Sequence, residues 1–384
     1  MATAVTIADV ESALRGVVDP ELGADVVELG MVSSISIADR VATVGIALTI
    51  AACPMRDQIE GDVIRKVGAL PGIERTEVKV TAMTERQRSD LMSVARRMAR
   101  EGAASTMVNP LTRVIAIGSG KGGVGKSSVT VNLAVALRNV GFEVGLLDAD
   151  IWGFSIPRML GVDVRLEADA DRKIRPAQAN GIHFVSTGLL IDDEETALMW
   201  RGLMLSKAVE QFLHDVAWPA DLDYLLIDMP PGTGDVQMAL ARLLPQAEMV
   251  VVTTPQKAAQ KVAARVADMA RRSFLPVVGV IENMSGFTAD DGTHYELFGS
   301  GGGPELAADL GVPLIGQIPL DPLVVGGGDE GKPVVESHPD SPSGSALIAA
   351  AARLVELVPP AADETCTARI AVLMDQLREQ APAT

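Results

Sequence analysis

The hydrophobic and polar positions divide the chain into regions with different periodicities. Over residues 1–83, segments with helical spacing and β-rich runs follow one another in the order helix, strand, strand, helix, strand. They cover residues 6–15, 32–37, 41–50, 54–69 and 73–80, with Thr6 as the capping residue of the first helix. These elements are too few and too short for a doubly wound sheet, so they predict a small α+β domain.

A second region, residues 110–360, alternates short apolar runs with longer helical patterns. The apolar runs predict strands at residues 114–118, 143–148, 182–186, 223–228, 248–254, 277–281 and 313–318. Runs that are apolar throughout are typical of parallel strands with helices on both faces. The predicted fold class is therefore α/β, with a mostly parallel, doubly wound sheet preceded by the small α+β domain.

Polar and glycine-rich segments mark the remaining organisation of the chain. Residues 84–109 are rich in arginine and end in small residues, which predicts a helix followed by a flexible linker between the two domains. Residues 361–384 are predicted to form a polar C-terminal tail. Glycine triplets at residues 301–303 and 326–328 predict turns.

The composition and net charge of the chain limit the kinds of molecule that it is expected to bind. With 384 residues, 48% of them hydrophobic, the chain can bury the cores of two or three domains. It has no apolar run of the ~18 residues that span a membrane and no secretion signal, so we expect a cytoplasmic protein without a membrane partner. The net charge of −17 argues against a nucleic-acid partner, because phosphate backbones are bound by clustered lysine and arginine. The only cysteines, Cys53 and Cys366, are too far apart to suggest a disulfide framework.

The strongest local motif is the stretch 114–128, VIAIGSGKGGVGKSS, an apolar strand followed by a glycine-rich loop. Residues 120–127 match G-x-x-x-x-G-K-S, in which backbone N–H groups surround phosphate oxygens at a helix N-terminus. We expect the loop glycines to adopt positive φ. Lys126 is predicted to contact the β- and γ-phosphates, and Ser127 to bind Mg²⁺. The predicted nucleotide-binding residues of the loop are Gly120, Lys121, Gly122, Gly123, Val124, Gly125, Lys126, Ser127 and Ser128.

Polar residues end several of the other predicted strands, at the edge of the sheet where ligands bind. Asp150 is predicted to orient the attacking water, Asp228 to hold Mg²⁺, and Asp148 to support that Mg²⁺ site. Asn283 offers a donor and an acceptor to an adenine edge. Pro255 follows the strand 248–254 and is predicted to be a further nucleotide contact.

The loop GKGGVGKSS, with its early Lys121, resembles the deviant phosphate loop of the MinD/ParA class of ATPases. The resemblance implies ATP hydrolysis to ADP and phosphate, with ATP and Mg²⁺ as cofactors. It also implies a homodimer that encloses the nucleotides, in which Lys121 reaches the partner's phosphates and acts in catalysis with Lys126, Asp150 and Asp228. In that class an asparagine at the position of Asn283 reads the adenine.

Further motifs are similar to those of the Mrp (ApbC-like) branch of that class. They are DADIWGFSIP at 148–157, WRG at 200–202, DYLLIDMPPGTGD at 223–235, VVTTPQ at 251–256, IENMS at 281–285 and IPLD at 318–321. Residues 19–22 (DPEL), 48–49 and 53–54 resemble the MIP18-like domain of iron-sulfur assembly proteins. The resemblance implies a carrier that holds an iron-sulfur cluster and delivers it to apoproteins, with assembly factors as further partners. Cys53, at a strand-to-helix junction that favours the thiolate, is a candidate cluster ligand.

One segment departs from that branch. Where its members carry a Cys-x-x-Cys pair after the asparagine strand, residues 284–298 read MSGFTADDGTHYELF. Asp290 and Asp291 in this segment are hard oxygen ligands and poor substitutes for thiolates at an iron-sulfur centre. His294 could ligate iron, but a lone histidine in a loop is more often solvated. Any cluster would need Cys53 or an external thiol. Two alternatives therefore stay open: a positioning ATPase of the MinD/ParA type, and an adaptor ATPase in iron-sulfur assembly that holds no cluster itself.

Overall fold

The structure, a computed structural model, describes residues 5–360 with gaps. Not described are residues 1–4, 20–23, 49–54, 85, 89, 92, 93, 95–105, 151, 152, 154, 164, 168, 170–172, 187, 188, 190–201, 233, 274, 290 and 361–384, and the side chains of residues 202–206. The chain divides into two compact units, Met1–Gly102 and Ala103–Thr384.

The first unit contains one small sheet and two helices in the predicted order. Its elements are α1 (Ile7–Leu14), β1 (Val32–Ala38), β2 (Val41–Leu48), α2 (Arg56–Gly68) and β3 (Arg75–Ala82). Strand β2 lies in the middle, antiparallel to β1 and parallel to β3. Thr6 and Asp9 begin α1 with a capping box, in which each side chain accepts the backbone N–H of the other residue. Buried apolar residues of α1, β2 and α2 form the core of this unit.

The second unit contains the larger sheet. Its strands are β4 (Arg113–Ser119), β5 (Val144–Asp148), β6 (Ala177–Ala179), β7 (Ile182–Ser186), β8 (Tyr224–Asp228), β9 (Glu248–Thr253), β10 (Val277–Asn283), β11 (Phe287–Thr288), β12 (His294–Tyr295) and β13 (Leu314–Ile318). Its helices are α3 (Lys126–Asn139), α4 (Ile156–Met159), α5 (Gly202–Asp215), α6 (Gly234–Leu243), α7 (Lys257–Arg272), α8 (Gly302–Leu310), α9 (Pro322–Glu330), α10 (Val334–Ser337) and α11 (Pro342–Leu357). No helix within the described ranges is long and apolar enough to cross a membrane.

Eight strands form one sheet in the order β13-β10-β9-β4-β8-β5-β7-β6. Every neighbouring pair is parallel except the edge pair β6 and β7. Alternate residues of β4 enter two separate cores: Ile115 and Ile117 pack with residues of α3 and α11, whereas Val114 and Ala116 pack with residues of α5 to α8. Helices thus cover both faces of the sheet. The predicted fold class is confirmed for both units.

The turns predicted at the glycine triplets were wrong, because both triplets enter helices. Residues 326–328 lie within α9, which begins earlier because the Asp321 side chain caps it, accepting the Leu323 N–H at 2.9 Å. Helix α9 ends at the left-handed Gly331 instead. In the other triplet, Gly301 is left-handed and immediately precedes α8, which contains the remaining glycines. In α9 the Asp321 cap therefore outweighs the low helix propensity of glycine.

Candidate nucleotide site

The phosphate loop joins β4 to α3 at the carboxyl edge of the sheet. Gly123 and Gly125 have positive φ angles of 80° and 75°. Gly120 and Gly122 do not, so the expectation of positive φ was wrong for these two residues. Gly120 meets a different requirement: a Cβ there would lie 2.5 Å from the carbonyl carbon of Val262 in α7. The start of the loop is thus held directly against the backbone of α7.

Lys126 lies between two of the predicted carboxylates. Its Nζ is 2.7 Å from Asp228 Oδ1 and 3.6 Å from Asp150 Oδ2, and its side chain is 6% exposed. A buried ammonium group needs such partners, because an unpaired buried charge is costly. The structure therefore brings together Lys126, Asp150 and Asp228, three of the residues singled out in the sequence.

Asp228 ends β8 opposite the first turn of α3. Its Oδ2 accepts a hydrogen bond from Ser127 Oγ at 2.5 Å, and its Oδ1 accepts one from Thr130 Oγ1 at 2.9 Å. A serine hydroxyl beside a carboxylate supplies the hard oxygen ligands that Mg²⁺ prefers, so this pair fits the predicted ion. Thr130 is absent from the sequence prediction, although it follows Ser127 by three positions and therefore lies on the same face of α3.

Asp150 and Asp148 differ in exposure. Asp150 is 9% exposed, and burial raises its pKa despite the opposing effect of Lys126. A raised pKa makes this carboxylate a better proton acceptor, which suits the predicted contact with water.

Asp148 lies deeper, at the end of β5. It is fully buried and accepts hydrogen bonds from Ser186 Oγ at 2.8 Å and from the Asp150 N–H at 3.1 Å. Burial, and then the neighbouring Asp228 carboxylate, raise its pKa to about 8. A protonated carboxyl is a weak metal ligand. The contacts favour a supporting role for Asp148, and its participation in the Mg²⁺ site stays a prediction.

A cavity of about 280 Å³ opens beside the loop. Gly125 and Ser128 line one side of it, and Asn283 lines another. Asn283 Nδ2 donates to the Val124 carbonyl at 2.9 Å, which holds the amide at the edge of the cavity. The remaining lining residues are Ser155, Arg158, Met159, Met284, Pro319, Leu320, Asp321, Val324, Val325, Gly328 and Asp329. Pro319 lies in this lining and Pro255 does not, so a nucleotide contact by Pro255 stays a prediction.

Lys121 has a partner that the sequence did not indicate. Its Nζ donates to Gln256 Oε1 at 2.8 Å, across 135 positions of the chain. Gln256 is the residue immediately before α7. No local pattern could connect residues so far apart.

Strands β11 and β12 form a hairpin within residues 284–298, the segment in which the resemblance implies a Cys-x-x-Cys pair that this chain lacks. Its Phe287 and Tyr295 rings stack with centroids 6.5 Å apart, and the Thr288 hydroxyl lies 3.2 Å from His294 Nδ1. Among the residues that the structure describes, no group of three or more His, Cys, Asp and Glu side chains is arranged to hold a metal ion. Cys53 lies outside the described residues, so its role as a cluster ligand stays a prediction.

Comparisons with known proteins agree with both regions of the chain. Residues 110–355 match a family model described as NUBPL iron-transfer P-loop NTPase, and residues 7–80 match one described as iron-sulfur cluster assembly protein. An iron-sulfur cluster carrier protein of Mycobacterium leprae is 46% identical over 347 residues, which cover 88% of this chain and 90% of that protein. The chain belongs to the iron-sulfur cluster carrier family. The Mrp-like and MIP18-like resemblances are therefore confirmed.

Further comparisons show similarity of this carrier-family chain to a second carrier protein and to a solved structure. A carrier protein of Synechocystis is 44% identical over 357 residues, covering 91% of this chain and 97% of that protein. A solved nucleotide-binding protein of Archaeoglobus fulgidus, in complex with ADP, has a TM-score of 0.50 and 35% identity, covering 57% of this chain and 86% of that chain. The second unit is thus a nucleotide-binding P-loop NTPase domain of this family.

Proposed function

We propose that this carrier-family chain binds and hydrolyses ATP as a nucleotide-sandwich homodimer and transfers iron-sulfur clusters to apoproteins. The observation that carries the proposal is the group of Lys126, Ser127, Asp150 and Asp228 at the end of the phosphate loop. This group contains a cation for the phosphates, a pair of oxygen ligands for Mg²⁺ and a carboxylate for water, which are the parts that phosphoryl transfer needs.

The triphosphate binds where the loop meets α3. Backbone N–H groups of the loop donate to phosphate oxygens, and Lys126 exchanges a carboxylate partner for a phosphate oxygen when the nucleotide enters. Ser127 and Asp228 would hold Mg²⁺, which supplies charge neutralisation for the phosphates. Asp150 accepts a hydrogen bond from the attacking water and orients it toward the γ-phosphate, while Lys126 stabilises the charge that develops there.

The base occupies the cavity beside Asn283. The bond to the Val124 carbonyl uses one N–H of the Asn283 amide, which leaves the amide oxygen and the second N–H for an adenine edge. Guanine presents an oxygen where adenine presents an amino group. The Asn283 amide oxygen can accept a hydrogen bond from the adenine amino group but would repel the guanine oxygen, so the site favours adenine. Asn283→Ala should therefore weaken ATP binding and reduce the preference for ATP over GTP in a competition assay.

In this proposal the iron-sulfur cluster is the group that the protein transfers, and the few cysteines of the chain limit which residues can bind it. Cys53 is the proposed ligand, together with the equivalent cysteine of a second copy or an external thiol. The absence of cysteine from residues 284–298 favours a second candidate function, an adaptor ATPase that docks apoproteins or assembly factors without holding a cluster.

Anaerobic reconstitution tests both candidates. Iron and acid-labile sulfide per chain are measured for the wild type, for Cys53→Ser and for the matched control Cys366→Ser, and transfer to an apo-ferredoxin is followed by absorbance. A cluster that disappears only in Cys53→Ser and is transferred by the wild type supports the carrier. ATP hydrolysis without any cluster supports the adaptor, and the absence of hydrolysis contradicts both.

A further inference from the structure

The ammonium group of Lys121 is held by a neutral group of its own chain. Its hydrogen bond to Gln256 Oε1 is 2.8 Å long, and both residues are partly buried. Within the part of the chain that the structure describes, no carboxylate lies within ion-pair distance of Lys121, whereas Lys126 has two such partners. Lys121 therefore has a partner that it can leave at small electrostatic cost.

Gln256 occupies a helix N-cap position, where glutamine is not among the preferred residues. Gln256 is the N-cap of α7, with extended backbone angles (φ −63°, ψ 129°), and its side chain makes no capping hydrogen bond. Ser, Thr, Asp and Asn are the residues that cap a helix well, because their short side chains reach the first free N–H groups. The longer glutamine side chain reaches across to the phosphate loop instead.

The backbone on both sides of this hydrogen bond is held in place. Ser119 Oγ donates to the Lys121 carbonyl at 3.1 Å, and the Gly232 N–H donates to the Ser119 carbonyl at 3.2 Å. Gly120 packs directly against the backbone of α7, the helix that Gln256 precedes. The Lys121 side chain can therefore change partner without movement of the loop or of α7.

We infer that Gln256 is a positioning residue that holds Lys121 within its own chain until a second nucleotide-loaded copy arrives. The inference rests on the proposed nucleotide-sandwich dimer, in which Lys121 contacts the partner's phosphates. A phosphate oxygen forms a stronger bond to an ammonium group than a neutral amide does, so the partner's triphosphate displaces Gln256. A carboxylate at position 256 would compete much better with the phosphate and would hold Lys121 in its own chain.

The first test measures the hydrogen bond in the nucleotide-free protein. Lysines of the full chain are acetylated competitively, and the rate at Lys121 is read by mass spectrometry relative to Lys261, an exposed lysine of α7. We expect Gln256→Ala to raise the relative rate at Lys121 several-fold and Gln256→Glu to lower it. Equal rates in the three proteins would overturn the inference.

The second test measures dimerisation with a non-hydrolysable ATP analogue by analytical ultracentrifugation. Gln256→Ala should tighten the dimer by roughly three- to tenfold, and Gln256→Glu should weaken it by about tenfold. In a Lys121→Ala background, Gln256→Ala should have no effect, because the two residues act together. A purely structural role of Gln256 would shift both variants in the same direction.

The outcomes separate this inference from the function on which it rests. A wild-type dimer whose affinity does not respond to the Gln256 variants, or responds equally without Lys121, overturns only the role of Gln256. A wild type that stays monomeric with the analogue at every concentration contradicts the proposed dimer and, with it, the role of Gln256. The control Lys261→Ala, one turn along α7, should dimerise as the wild type does.

Discussion

Replacing Asp148 with asparagine should remove a large pH dependence from the stability of the second unit. Asp148 is fully buried, and its pKa rises from 3.8 to about 8, mainly through burial. In the unfolded chain the group returns to its ordinary pKa. Between these two values Asp148 binds a proton in the folded protein but not in the unfolded chain, so its contribution to stability is greatest at acidic pH and falls as pH rises toward 8.

The size of the effect follows from this difference of one proton. One proton corresponds to about 1.4 kcal/mol of unfolding free energy per pH unit, or about 3 kcal/mol between pH 5 and pH 7. Asparagine has the shape of the protonated carboxyl: its oxygen can accept the Asp150 N–H, and its amide can donate to Ser186 Oγ. The variant should therefore be within about 1 kcal/mol of the wild type at pH 5 and about 3 kcal/mol more stable at pH 7.

The assay is guanidinium unfolding at pH 5, 6 and 7, with EDTA and without nucleotide. Tryptophan fluorescence reports the second unit alone, because all three tryptophans of the chain lie in it. Ser186→Ala is the matched control, since it removes a neighbour of Asp148 but keeps the titrating carboxyl, and its stability should run parallel to that of the wild type. If Asp148→Asn also runs parallel to the wild type from pH 5 to pH 7, the assignment of a neutral, buried Asp148 is refuted.

Other substitutions test individual contacts. Lys126→Ala should lower the rate of phosphate release from ATP by roughly 10²-fold or more, because it removes the cation at the transferred group; a rate near that of the wild type would contradict its role. Gly120→Ala should cost about 1–3 kcal/mol in thermal unfolding because its Cβ would collide with the α7 backbone, whereas Gly122→Ala, with open space around it, should melt as the wild type does. Tyr224→Phe should cost about 1–3 kcal/mol by leaving the Val358 carbonyl without its buried 2.8 Å hydrogen bond. ATP hydrolysis should continue in that variant, and an unchanged melting temperature would show that the bond contributes little.

Elements that depend on neighbouring residues were predictable. The seven strands predicted in the second unit were placed to within about two residues, because each is a continuous apolar run that burial on both faces requires, whereas the short strands β6, β11 and β12 were not predicted. Thr6 begins α1 as predicted, since a cap is a contact over three positions. The roles of Lys126 and Ser127 could be proposed from sequence because the two residues are adjacent in a contiguous motif, and the geometry of that motif depends on the loop residues alone.

Features that depend on distant residues were predicted less well. Gly120 lacks the expected positive φ, and a glycine is required there because the backbone of α7, more than a hundred positions away, approaches it closely. The glycine triplet in α9 became helical under the influence of caps outside it. The sequence assigned different roles to Asp148 and Asp150, but their exposure is decided by the sheet and its covering helices, which bury Asp148 fully and leave Asp150 9% exposed.

The sequence by itself determined the fold class, the phosphate loop and the resemblance to the iron-sulfur carrier ATPases, because periodicity, caps and a contiguous motif act over a few positions. Only the tertiary structure decided the pairing of Thr130 with Asp228, across 98 positions, and of Lys121 with Gln256, across 135. Those contacts arise from the order of the strands in the sheet and the packing of helices against its edge. The strand order and the helix packing both depend on the burial of apolar surface throughout the second unit, and this cannot be predicted from any single segment of the sequence.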